Sequence, residues 1–329
     1  MVGAATMGGM KNVRFFAALS AILLTVAGSA GVKVQAVAAQ TLPAEPQLVI
    51  LDTDIGDDID DAFALALILR SPELHLLGIE TAFADTELRA RLVDRYLAAV
   101  GRKEIPVMAG VPGPQTNHFS QAAYARQEPE RRHGSGVDFL LGQIKAHPGQ
   151  ITLIAIGPLT NIKAAVERDA ATFKKLKRVV IMGGSVYRGY GDQHQPPSPE
   201  WNIVCDPAAA KALFGAGVPV FAMPLDSTQV HLEQPDLSAL LAHGSPLTDQ
   251  LTLLYHQWTG DKEWRSPTLY DPVAVTYAIR PELCPAKSMR LEVDAKGFTR
   301  PVDGPPNVQV CLQSDEKGFL EFLLGRIAR

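Results

Sequence analysis

Short apolar runs alternate along this chain with stretches of helical period. QLVILDTD at 47–54 shows no polar alternation, as expected of a strand covered on both faces. DDAFALALILR at 60–70 is apolar nearly all round, with acids at its start and Arg70 in its last turn, which suits a buried helix and its dipole. The same order then recurs. HLLGIETAF at 75–83 reads as a strand, TELRARLVDRYLAAVG at 86–101 as a helix closed by glycine, and IPVMAG at 105–110 as a third strand. Further strands are predicted at 151–157, 178–184 and 218–226, with helices over 160–168 and 207–215. Strand and helix in alternation predict an α/β fold: a doubly wound, mainly parallel central sheet with helices on both faces. Residues 47–329 show no composition break and read as one domain after a short leader at 40–46.

Two polar inserts interrupt this order. Residues 112–135 contain Asn117, His118 and RRHGSG, and residues 187–200 are YRGYGDQHQPPSPE. Loops of this kind can roof a site at one edge of a rigid sheet. Residues 289–313 carry strand-like runs around PVDGPPN, and GFLEFLLGRI suggests a closing helix.

Ahead of the fold, Lys11 and Arg14 precede the apolar run FFAALSAILLTVAG, and AVAA follows at 36–39. Residues 1–39 therefore read as a secretory signal peptide, which places the mature chain in a periplasm or outside the cell. A retained anchor is the alternative, although the apolar stretch is short for a full span. Cleavage removes Lys11, Arg14 and Lys33 and no acid, so the formal charge of −4 becomes −7. That balance, with only isolated basic clusters, argues against a nucleic-acid partner. No later segment is apolar and long enough to cross a bilayer. The cysteines, Cys205, Cys284 and Cys311, fit neither a disulfide scaffold nor a thiolate zinc site. Free buried thiols are one reading; a Cys284–Cys311 disulfide is the other.

The candidate chemistry lies in LDTDIGDDIDDAFAL, which places six aspartates between Asp52 and Asp61 where the first strand hands over to its helix. The carboxyl edge of an open α/β sheet is where ligands bind. A helix dipole relieves only part of the repulsion among so many carboxylates, and a hard cation with oxygen ligands would relieve far more. The spacing is not that of an EF-hand. Gly56 also argues against an aspartyl-phosphate nucleophile, whose DxDx[TV] loop needs a hydroxyl or branched residue at that position.

These residues resemble the inosine-uridine-preferring nucleoside hydrolase family. DTDIGDDIDDAFAL, HG at 133–134, IAIGPLTNI at 154–162, VVIMGG at 179–184, PEWNIVCDP at 199–207 and LYDPVAV at 269–275 occur in the family's order. The resemblance implies hydrolysis of the N-glycosidic bond of ribonucleosides, with Ca²⁺ as cofactor and a homodimer or homotetramer as the assembly. It implies Asp54 as a calcium ligand and general base toward water. It further implies Asp61, the Ile156 carbonyl and Asp271 as calcium ligands, with Asp271 also at the substrate. Asp60, Glu200 and Asn202 are implied as ribose contacts, with Met182 lining the sugar site. The family's common form places its paired aspartates two residues sooner. Aligning the pair beside Ala62 selects Asp60 and Asp61, whereas the other register would bring in Asp58.

Three departures concern the base. Tyr270 stands where members with an imidazole acid carry histidine. Ala84 and Asp85 replace a Gly-Asn pair, and His194 replaces an asparagine, so Asp85 is a candidate substrate contact. His133 and His194 are candidates for protonating the leaving base, because imidazole titrates near neutrality. Tyr270 is a third, with a higher ordinary pKa. Trp201 is equally a core residue or a pocket wall, and Tyr187, Tyr190, Trp258 and Trp264 are aromatic candidates for the base. Asp226 reads as a structural acid, and Thr160 and Asn161 as helix caps. Two alternatives stay open: a hydrolase of another N-riboside, such as a nicotinamide or modified nucleoside, and a noncatalytic calcium-dependent binding protein for nucleosides or ribose.

Overall fold

The computed structural model describes residues 45–114, 118–260, 262 and 264–328. The leader sequence and Asn117 lie outside the described residues. Ala44–Arg329 form one compact unit.

Strand β1 (Gln47–Thr53) leads through the aspartate loop into α1 (Asp60–Leu69), followed by β2 (Leu74–Thr81) and α2 (Thr86–Ala99). Then come β3 (Val107–Ala109), the one-turn α3 (Ala122–Ala125), a two-residue β4 (Gly134–Ser135) and α4 (Gly136–Ala146). The centre continues with β5 (Thr152–Ala155), α5 (Thr160–Phe173), β6 (Arg178–Met182), the short α6 (Trp201–Val204), α7 (Pro207–Gly215) and β7 (Val220–Met223). Four helices follow: α8 (Leu225–Thr228), α9 (Gln234–Leu241), α10 (Pro246–Thr259) and α11 (Tyr270–Ile279). The tail supplies β8 (Ala286–Met289), β9 (Leu291–Val293), β10 (Thr299–Pro301), β11 (Val308–Cys311) and α12 (Glu316–Ile327).

The main sheet runs in the order β4-β3-β2-β1-β5-β6-β7-β11-β8. All its neighbours are parallel except β8, which lies antiparallel on β11. The unbroken apolar runs have the predicted cause. Val49 and Leu51 point into a core shared with α1, α2, α10, α11 and α12, while Ile50 between them packs with α4, α5 and α7 on the other face. The sheet is doubly wound, as the alternating pattern predicts.

Strand β4 and helices α3, α4, α6, α8, α9 and α11 go beyond the elements read from sequence. Asp169 interrupts α5 with a non-helical backbone, so its first segment ends where the helix over 160–168 was expected to end. Cys284 and Cys311 are joined by a disulfide, which decides between the two cysteine readings, and Cys205 is the free cysteine. Among the described residues no helix is long and apolar enough to cross a membrane.

Candidate metal and sugar site

The site forms where β1 stops. Thr53 Oγ1 accepts from Ile55 N (3.1 Å) and donates to Asp61 Oδ1 (2.5 Å), so one hydroxyl ties the strand end to the first turn of α1. Gly56 turns the loop with φ +131°, and a Cβ there would meet the Phe119 ring at 2.0 Å; only glycine fits. Gly157 lies equally close, since its Cβ would sit 2.8 Å from Asp54 N and 2.9 Å from Asp54 Oδ1. The loop's outer turn is held from the 112–135 insert. Ser120 Oγ donates to Asp57 O (2.7 Å), Gln121 Nε2 to Asp58 O (2.8 Å) and Gln121 N to Gly56 O (3.0 Å).

Arg89, a residue the sequence reading passed over, binds this loop from beneath. It is fully buried. Its guanidinium donates to the carbonyls of Asp54, Ile55 (3.0 Å) and Phe83 (3.0 Å) and pairs with Asp57 at 2.7 Å. Within TELRARLVDRYLAAVG no local signal marks it as a core cation.

Asp60, Asp61 and Asp271 converge. Each offers a carboxylate oxygen, these oxygens lie within 4.8 Å of one another, and all three side chains are buried. Asp271 N donates to Asp60 Oδ2 at 3.2 Å, which ties the start of α11 to the start of α1. Burial and the mutual repulsion of the acids push the pKa of each well above the ordinary aspartate value. Asp54 lines the same cavity; burial raises it to about 6, against the pull of Arg89 and a hydrogen bond from the Trp201 side chain. Three buried carboxylates with no ammonium or guanidinium among them form an all-oxygen donor set suited to a hard divalent cation, and Ca²⁺ fits it.

The structure thus groups Asp61 with Asp271 and adds Asp60. It places Asp54, Asp58 and Ile156 on the wall of the same cavity, of about 450 Å³. Asp58 instead accepts from its own neighbour, Ile59 N, at 2.7 Å. On the facing wall, Asn202 Nδ2 donates to the carbonyls of Ile156 (3.0 Å) and Met182 (3.1 Å), so its amide oxygen is left as an acceptor. Glu200 accepts from Gly184 N, Asn202 N and Ile203 N, which fixes the turn that carries Asn202, and burial raises its pKa to about 7. Trp201 starts a helical turn instead of sitting in an extended segment, so it joins Glu200 and Asn202 on the cavity wall. Tyr190, Trp258, His118 and Arg265 also line the cavity. Tyr190 stands edge-on to Tyr270 with ring centroids 6.2 Å apart. Tyr187 is exposed, as is Trp264, and neither lines this cavity.

Three candidates lie elsewhere. Asp85 is exposed and caps α2 by accepting from Leu88 N at 3.0 Å. His133 is buried between Glu87 (Nδ1, 2.6 Å) and Asp94 (Nε2, 2.9 Å), where it fastens the insert to α2. His194 is exposed, with its main-chain N–H on Asp192 Oδ1. Polar loop composition identified imidazoles but not the direction in which the loop folds. Asn161 is likewise not a cap: it links Asp52, the Thr81 carbonyl and Val111 N. Asp226 accepts from Val186 N and Tyr187 N, the structural role expected of it.

A doubly wound sheet with a buried trio of hard-metal ligands at its carboxyl edge, beside an amide acceptor and an aromatic rim, defines a calcium-dependent glycosidase. The family model for inosine-uridine preferring nucleoside hydrolases matches residues 49–321, and the chain belongs to that family. It is 28% identical to a pyrimidine-specific ribonucleoside hydrolase of Citrobacter koseri, over 85% of this chain and 97% of that protein. It is 26% identical to uridine nucleosidase 1 of Arabidopsis thaliana, covering 85% and 93%. Among solved structures, a plant nucleoside hydrolase, PpNRh1, superposes with a TM-score of 0.75 at 28% identity, covering 86% of this chain and 99% of that one. A purine-preferring ribonucleoside hydrolase from Gardnerella vaginalis gives 0.72 at 25%, covering 86% and 98%. The chain is a ribonucleoside hydrolase that cleaves the N-glycosidic bond, with Ca²⁺ as its metal.

Proposed function

We propose the following roles for the residues of this cavity. Asp60, Asp61 and Asp271 would hold Ca²⁺ with help from Asp54 and the Ile156 carbonyl, and the bound ion would supply a positive centre that orients water and the ribose diol. Asp54, on the wall of the same cavity, takes a proton from the attacking water. Asp60 also orients a ribose hydroxyl. The Asn202 amide oxygen faces the positive charge that grows on the sugar ring as the glycosidic bond opens, and stabilises it more than the neutral ground state. Glu200 contributes by fixing the Asn202 turn, and Met182 packs beneath the sugar.

The convergence of Asp60, Asp61 and Asp271 carries this reading. Its test is ribose release from uridine, cytidine, inosine, adenosine and guanosine, with Ca²⁺ and with chelator. Asp54→Asn serves as the control. Calcium-dependent release that falls by at least about 10³ in the variant supports the assignment; undiminished release removes Asp54 as the base. Tyr270 favours a second reading, a binding protein without turnover, because burial raises its phenol to about 12 and makes it a poor proton donor. Tight nucleoside binding with no base release at any pH would select that reading.

Export after cleavage near residue 39 belongs to the proposal, supported by the leader sequence and the Cys284–Cys311 disulfide. A homodimer or homotetramer does too, on the family resemblance. Intact mass of the recovered protein and light scattering test the two.

A further inference from the structure

The departing base takes the electron pair of the broken bond, and neither His133 nor His194 lines the cavity to protonate it. We infer that Arg265 stabilises the leaving base, its guanidinium meeting the negative charge that develops on the heterocycle as the C1'–N bond breaks. This rests on the hydrolase reading above and names the group that it lacks.

Among the described residues lining the cavity, Arg265 is the one guanidinium or ammonium side chain. Seven carboxylates share the lining, so a cation here is exceptional: Asp54, Asp57, Asp58, Asp60, Asp61, Glu200 and Asp271. Its guanidinium lies 3.9 Å from the Trp258 ring centroid. Its main chain is fixed as well, because Tyr255 Oη donates to Arg265 O (2.9 Å) and accepts from Arg265 N (3.1 Å). A planar base entering beside Trp258 and Tyr270 therefore meets a flat cation already parked on an aromatic face. Arginine donates without giving up its proton. In the step, a water oxygen bonds to C1' and its proton passes to Asp54. The C1'–N pair stays on the base, and the resulting anion is held by the guanidinium until solvent protonates it.

The test compares a natural nucleoside with 4-nitrophenyl β-D-ribofuranoside, whose nitrophenolate leaves without assistance. Arg265→Ala and Arg265→Gln are expected to lower kcat on uridine or inosine by about 10²-fold or more, the range for losing one transition-state donor. On the nitrophenyl riboside they should stay within about 3-fold of wild type, and Arg265→Lys should recover part of the nucleoside activity. An equal fall on both substrates, or none on either, overturns the inference. So does His118→Ala producing the split while Arg265→Ala does not, since His118 is the other nitrogen base among the described residues lining the cavity. A wild-type protein inactive on both substrates overturns the hydrolase reading itself, and this inference with it.

Discussion

The Arg89 guanidinium lies 2.7 Å from the Asp57 carboxylate, beneath the loop that joins β1 to α1. The same guanidinium, reaching from α2, holds the carbonyls of Asp54 and Ile55. Removing one partner of a buried ion pair leaves the other charge uncompensated, at about 3–5 kcal/mol. Arg89→Met should therefore lower the unfolding free energy by about that amount, read from urea denaturation, and weaken Ca²⁺ binding in a calorimetric titration. Arg89→Lys keeps the charge without the fork and should fall between the two. An unchanged calcium affinity in Arg89→Met would mean the loop holds its shape without the clamp.

Calcium-free protein should lose stability as pH rises. Burial raises Asp54 from an ordinary 3.8 to about 6, and burial with mutual repulsion holds Asp60, Asp61 and Asp271 well above the ordinary value too. A raised carboxyl pKa means the native state binds more protons than the unfolded chain, so unfolding free energy falls from about pH 4 through 6 and beyond. In chelator the Tm is expected to be higher at pH 5 than at pH 8. Calcium at about a hundred times its Kd should restore about 2.7 kcal/mol at pH 8.

Asp61→Asn separates repulsion from coordination. Deleting one of three crowded charges should raise Tm in chelator at pH 8 and abolish most of the response to Ca²⁺. A variant that still shifts with calcium as the wild type does would exclude Asp61 as a ligand.

His133 should affect stability and not turnover. Hydrogen bonds to Asp94 and Glu87 raise its pKa above 6.5 despite burial, so its contribution is complete below about 6.5 and is lost as pH rises through the folded value. His133→Gln is expected to cost about 1–2 kcal/mol at pH 6 and much less at pH 9. Its kcat should remain within about 2-fold of wild type, because the ring lies outside the cavity.

The Cys284–Cys311 bridge spans a sequence separation of 27. Chain-entropy arguments give about 3–4 kcal/mol for a loop of that length. Reduction, or the double substitution to alanine, should lower the unfolding free energy by no more than this while leaving calcium affinity intact.

The sequence by itself determined the doubly wound sheet. Strands such as 47–54 are apolar at every position because helices cover both faces, and that requirement is written locally. It also determined the acid cluster, because six aspartates at a strand-to-helix junction carry a repulsion that only a cation relieves fully. What tertiary structure alone decided was which polar residues face the cavity. His133 and His194 look alike as loop imidazoles, yet one is locked between Glu87 and Asp94 on α2 and the other is exposed. Arg89, not singled out within TELRARLVDRYLAAVG, is a buried cation because the loop from β1 folds over α2. Asp271 reaches Asp60 across a separation of 211 residues because α11 packs on α1. Side-chain period reports which residues avoid water, and it carries no information about which distant charge will lie across a cavity.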